Sequence, residues 1–262
     1  MGEQPPARKG LIVRVNEIIG AEPLLIVGGF GSNYPLYEAM RAHLAEVSGR
    51  PVAITPLTLL DWGGVIASDS YGALLRILDK AVRETLAAHR ARRLVLVAHS
   101  AGGVLARIYM GDQPYGPRRL LYHGHERVCS LVTLGTPHSA KKSGRQGGLN
   151  QIAFVQTTYP GAYWRFIHYI SVMGKGVFGA TDGPPVERGA WQSYTMLGSA
   201  GAQWGDGIVP MDAGLLLGSQ HVIIPGLRHD PRPDRPWYGT SVPVVRIWWE
   251  QVEVRLKEPS RL

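Results

Sequence analysis

One cysteine, Cys129, stands among 262 residues, which excludes an intrachain disulfide framework and any metal site built on clustered thiolates. Charged residues are also sparse, at 18% against 45% hydrophobic, a balance foreign to a disordered chain. Long apolar runs are missing: none approaches the roughly 18 residues that span a bilayer. The opening stretch, residues 1–10, is polar and is expected to be flexible. The apolar segment after it is broken by Arg14, Asn16 and Glu17, so it lacks the continuous core of a secretory signal. Pro6 stands where a myristoylation motif beginning at Gly2 requires Ser or Thr. These absences predict a soluble globular protein, with the cytoplasm as its expected location.

Acidic residues are the scarcer sign, 20 against 28 basic ones, for a net charge of +8. The arginines are scattered along the chain, with no basic helix, zinc-finger spacing or aromatic RNA-binding pattern beside them. A solvated surface is therefore expected, without a nucleic-acid partner; transient contact with an anionic lipid surface is compatible with the charge. The oligomeric state has no signature in the sequence.

Glycine and proline, by contrast, are abundant, at 33 and 19 residues. They punctuate an alternation of short apolar runs and helical patterns. Leu24–Val27, Val52–Thr55, Leu94–Val97, Val128–Leu134, Tyr194–Leu197 and Val222–Ile224 read as strands. Residues 36–47, 71–89, 102–110 and 242–256 read as helices, the second carrying Leu74, Leu75, Leu78, Val82 and Leu86 at helical spacing. Strands alternating with helices predict a single α/β domain over 1–262, a mostly parallel sheet of about six strands covered on both faces. Residues 111–127 read as a loop. Residues 139–190, long and aromatic, read as a cap or lid inserted into the domain.

The densest signal is Ala98-His-Ser-Ala-Gly-Gly103, between a strand and a helix. Small residues around a serine in that context allow the sharp turn that lifts a hydroxyl clear of the sheet. The amide of Ala101 then faces an attacked carbonyl at a helix amino terminus, where negative charge is favoured. Such a serine needs a base and an acid to orient it. After the serine, the order acid then histidine selects Asp206 in Gly-Asp-Gly-Ile-Val-Pro, beyond the expected strand Tyr194–Leu197, and His229 beyond Val222–Ile224. Asp212 is the alternative acid, placed where a short helix begins. His221 precedes the last strand and so falls at the wrong end of the sheet. The loop Gly28-Gly-Phe-Gly31 follows the first strand and offers the Phe30 amide as second oxyanion donor; its spacing is not that of a dinucleotide fingerprint.

With Leu-Gly-Thr-Pro-His138 added, these motifs resemble the α/β-hydrolase superfamily, and within it the lipase-like branch related to triacylglycerol lipases and GPI inositol-deacylases. The resemblance runs from about Leu24 to His229. It departs at Gly28, where the branch commonly has histidine, and at Ala98, where it commonly has the first glycine of the elbow. The resemblance implies a serine esterase or lipase that needs no metal or cofactor, with Ser100, Asp206 and His229 catalytic. It implies a pocket-wall role for His138; His99 and Trp164 are the other expected substrate-binding residues. Aromatic residues in 139–190 point to a lipid or medium-chain ester substrate. Acyl transfer, thioester cleavage and a catalytically silent binding protein are the alternatives.

Overall fold

The computed structural model describes residues 22–140, 149–232 and 234–258. The segment 1–10 and residues 141–148 of the expected cap lie outside them. Six strands form one parallel sheet: β1 (Leu24–Val27), β2 (Val52–Ile54), β3 (Leu94–His99), β4 (Val128–Leu134), β5 (His168–Lys175) and, at its edge, β8 (Gln220–Pro225). Their spatial order is β2-β1-β3-β4-β5-β8, and every pairing is parallel. Between β5 and β8 a two-stranded antiparallel ribbon forms from β6 (Val177–Phe178) and β7 (Trp204–Gly205).

The alternating side chains of the strands explain why these runs are apolar throughout. Leu24 and Ile26 of β1, with Val95 and Val97 of β3, face helices α1 (Glu38–Ser48) and α8 (Val242–Lys257). Leu25, Val27, Leu94, Leu96 and Ala98 face the opposite way, toward α2 (Leu59–Ser68), α3 (Gly72–Ala88), α4 (Ala101–Tyr109) and α5 (Leu149–Thr158). Helix α2 begins with a reciprocal cap in which the Thr58 hydroxyl accepts from the Asp61 amide while the Asp61 carboxylate accepts from the Thr58 amide. All βα loops consequently open at one rim, where ligands of open parallel sheets bind.

Two expectations are corrected here. Tyr194–Leu197 is not a strand. It ends helix α6 (Pro185–Met196), which starts at a proline suited to a first turn and buries Ala190 and Tyr194, four residues apart. The sixth strand is instead β5, inside the stretch read as a cap. Its Ile170, Val172 and Met173 are fully buried between β4 and β8, so 139–190 is not one insertion but contains an interior strand of the core. Helix α5 packs on α4 and belongs to the same core face.

Candidate active site

Ser100 follows β3 and opens α4 with φ 53° and ψ −130°, a conformation costly for any residue with a Cβ. The neighbouring glycines make that turn possible. A Cβ on Gly102 would sit 2.5 Å from the Val27 carbonyl oxygen, and one on Gly103 would overlap the Thr136 side chain. Ala98 is a strand residue of β3 with a fully buried methyl, so the missing first glycine costs the turn nothing. The Ser100 amide donates to Leu134 O at 2.9 Å, and the Thr136 hydroxyl donates to Ser100 O at 2.9 Å.

The hydroxyl of Ser100 lies 2.8 Å from His229 Nε2, across 129 residues of chain. On the far side of the ring, His229 Nδ1 donates to Asp206 Oδ2 at 2.7 Å, which leaves Nε2 as the acceptor for the serine proton. Asp206 sits in the turn after β7, with Oδ1 accepting from the amides of Val209 (2.7 Å) and Ile208 (3.0 Å). Tyr238 adds a hydroxyl donated to Oδ2 at 2.8 Å. Burial opposes ionisation of Asp206, but the His229 ring and the two amides outweigh it and hold the carboxyl below its ordinary range. Burial likewise opposes charge on His229, and Asp206 reverses the balance, so the imidazole titrates above its ordinary 6.5.

Gly135, in the Leu-Gly-Thr-Pro-His138 motif, makes room for this pair. Its φ is +57°, and a Cβ there would lie 2.5 Å from Asp206 Oδ2 and 3.1 Å from His229 Nδ1. Gly29 does the same on the other side, where a Cβ would lie 2.7 Å from Ser100 Cβ. Its amide is already taken by the Tyr37 hydroxyl at 2.8 Å, and Phe30, the next residue, borders the cleft. Ala101, first residue of α4, contributes one of the amides that helix geometry leaves unpaired.

A cleft of about 360 Å³ opens over these groups, bordered by Phe30, Leu36, His99, Ser100, His229 and Arg232. His99 is at its floor, only 3% exposed. Its Nε2–H donates to the carbonyl of His229 (3.0 Å), so its Nδ1 accepts from the Tyr37 hydroxyl (2.8 Å). Burial first, and the neighbouring His229 second, push His99 down to about 3. It is a neutral brace between the oxyanion loop and the loop that bears the base.

Two expected pocket residues are elsewhere. His138 turns into the interior, where its Nε2–H donates to Thr133 Oγ1 at 3.1 Å and its Nδ1 accepts from Arg107 at 3.4 Å. Burial, then Arg107 and His221, keep it neutral, well below its ordinary value. Trp164 stacks on His125 at 4.0 Å and donates Nε1–H to Met110 O, at the opposite end of α4 from Ser100. Asp212 accepts from Ser199 in the exposed turn of α7 (Met211–Gly214), away from His229. Sequence reading did not single out Tyr37, Tyr238 or the steric role of Gly135. Only the glycine had a signal, its place in a quoted motif. No group among the cleft residues has metal-ligand grouping; the one such cluster among the described residues lies elsewhere.

The chain matches, over residues 70–157, the family described as the PGAP1-like alpha/beta domain, a segment that runs from α3 through the elbow into α5. No curated protein matches it in sequence. Among solved structures it is similar to the phospholipase PlaB from Legionella pneumophila, in complex with thio-NAD, at 16% identity and a TM-score of 0.61, covering 92% of this chain and 59% of that one. A second structure of the same phospholipase gives 13% identity and a TM-score of 0.60, covering 92% and 61%. The chain thus spans about three fifths of the length of the proteins it is compared with. No helix among the described residues is long and apolar enough to cross a membrane. Sheet order and elbow are those of the α/β-hydrolase fold, and within it residues 70–157 match the PGAP1-like alpha/beta domain.

Proposed function

We propose that the chain is a serine hydrolase of carboxylic esters, and that its substrates are lipids or medium-chain acyl esters. The observation that carries this reading is the unbroken hydrogen-bonded series from Ser100 Oγ to His229 to Asp206, at 2.8 and 2.7 Å. His229 Nε2 takes the Ser100 proton as Oγ attacks the ester carbonyl carbon. The tetrahedral oxyanion is held by the amides of Phe30 and Ala101, each donor being worth about 3 kcal/mol in such sites. His229 then protonates the departing alcohol, and a water activated by the same ring releases the acid from the acyl-serine.

An apolar mouth supports the lipid side of the proposal. Phe30 is half exposed at the cleft, edge-on to Trp62, with Leu36 beside it at 49% exposure. Such surface is disfavoured in water unless an apolar ligand covers it.

The test pairs a fluorophosphonate probe with p-nitrophenyl esters of increasing acyl length. Labelling at Ser100 and turnover that rises with chain length are expected, both lost in Ser100→Ala. Folded protein that neither labels nor turns over any ester would overturn the reading. Turnover of acyl-CoA above that of esters would move it to thioester chemistry.

A further inference from the structure

The segment 111–127 has no part in the ester chemistry, yet it gathers three ligand-type side chains. His123, His125 and Glu126 each place a ligand atom within 4.8 Å of the other two. We propose that these three residues bind one divalent cation of borderline softness, Zn²⁺ by preference, at the C-terminal end of α4.

Local geometry builds the site. Gly124–Glu126 is a single 3-10 turn with His123 as its N-cap, and residues three apart eclipse in such a turn, which sets His123 beside Glu126. His123 holds φ +50°, a left-handed conformation uncommon outside glycine. His125 is anchored from behind: its Nδ1–H donates to Met110 O at 3.0 Å, and its ring stacks on Trp164. That bond engages Nδ1 and leaves Nε2 as the ring's ligand atom, the arrangement metal-binding imidazoles commonly show. The neighbouring Arg127 guanidinium is occupied at the Tyr122 carbonyl, 3.0 Å away, and no ion pair engages Glu126 among the described residues.

Two imidazoles and a carboxylate are a donor set that suits zinc, leaving one position for water. Tetrahedral zinc ligands stand about 3.4 Å from one another at bond lengths near 2.1 Å. Closing from 4.8 Å is a rotamer adjustment for two exposed side chains, His123 and Glu126. The Met110 carbonyl also accepts Trp164 Nε1–H, so a cation on His125 would clip together the end of α4, the 111–127 loop and the 159–167 segment. Positive charge is moreover favoured at a helix carboxyl end. The site stands about 14 Å along α4 from Ser100, a nine-residue helix rising 1.5 Å per residue, so it is a structural clip rather than part of the ester machinery.

Untagged, chelator-treated full-length protein titrated with Zn²⁺ by calorimetry tests this, with Co²⁺ absorption and Trp fluorescence as second readouts. One equivalent should bind, raise the Tm and perturb the fluorescence. His123→Ala and Glu126→Gln should each weaken binding at least tenfold, whereas His43→Ala, remote from the cluster, should not. His125 is left intact because it also caps α4. Absence of stoichiometric binding in the wild type, or binding in both cluster variants as tight as in the wild type, would overturn the site. Ester turnover of the zinc-free protein is measured alongside and is expected to be unchanged.

Discussion

The cleft has two sides of the same construction and opposite electrical character. On the acid side a tyrosine, Tyr238, hydrogen-bonds Asp206, which holds His229. On the oxyanion side a tyrosine, Tyr37, holds both the Gly29 amide and His99. The two imidazoles lie 4.8 Å apart and both are buried. His229 titrates above its ordinary value and His99 falls to about 3. The difference is the partner: a carboxylate on one ring, a hydroxyl and a carbonyl on the other. Nearness to Ser100 along the chain therefore does not decide which imidazole meets its hydroxyl. His99 adjoins Ser100 but, by the alternation of β3, points to the face where Tyr37 and Trp237 pack.

The largest effect expected from breaking this contrast is at Asp206. Asp206→Asn should lower kcat/KM about 10⁴-fold, since an amide no longer fixes the productive tautomer. The pH profile carries the sign. The base works only when neutral, so wild-type activity is lost as pH falls through a value above 6.5, and the variant's residual acid limb should move to lower pH. A limb that stays in place would show that Asp206 does not set the His229 titration. Next comes Gly135→Ala, whose methyl needs the space of Asp206 Oδ2 at a left-handed φ. About a hundredfold loss in kcat with a lower Tm is expected, from displacement of the pair by well under an ångström to an ångström.

Tyr37→Phe probes the neutral side. It strips the Gly29 amide of its acceptor and His99 of its donor, and should cost about 1–3 kcal/mol of stability, read by urea unfolding. Activity should fall about tenfold while the pH limb holds its position, because no charge is removed. If His99→Gln proved as damaging to kcat as His229→Gln, the division of labour drawn above would be wrong. The smallest effect is expected at Trp164→Leu: kcat/KM for a short ester should change less than threefold, about 0.6 kcal/mol, because the indole faces His125 rather than the cleft.

Much of this candidate site is legible in the sequence, and the reasons are local. The elbow, the oxyanion loop and the Asp-Gly turn are backbone devices that only small residues permit, so their sequences announce them. The alternating pattern of β1, β3 and β4 is continuous because both sheet faces are covered. Strand β5 escaped because His168, Ser171 and Gly174 interrupt its apolar run, and Ser171 is tolerated inside because its hydroxyl is bonded to Ser219 Oγ at 2.8 Å and accepts from the Leu216 amide at 3.3 Å. Tyr194–Leu197 was misassigned because four apolar-rich residues fit either period, and the prolines 184 and 185 that start α6 lie well upstream. His138 and Trp164 show the other limit. Residue type placed them plausibly near an active site, but rotamer and packing decide whether a side chain faces a cleft or the interior, and neither is written in spacing. Tyr238 pairs with a residue 32 positions away.

The order of these pieces along the chain has a consequence for biosynthesis. Ser100 and its elbow are complete once β3, β4 and α4 exist, whereas the acid comes after β5 and the base only after β8, the edge strand, joins β5. An emerging polypeptide therefore carries an unactivated alcohol through most of its translation. Under the proposed function, the hydroxyl stays without its acid and its base until the last strand of the sheet has been made.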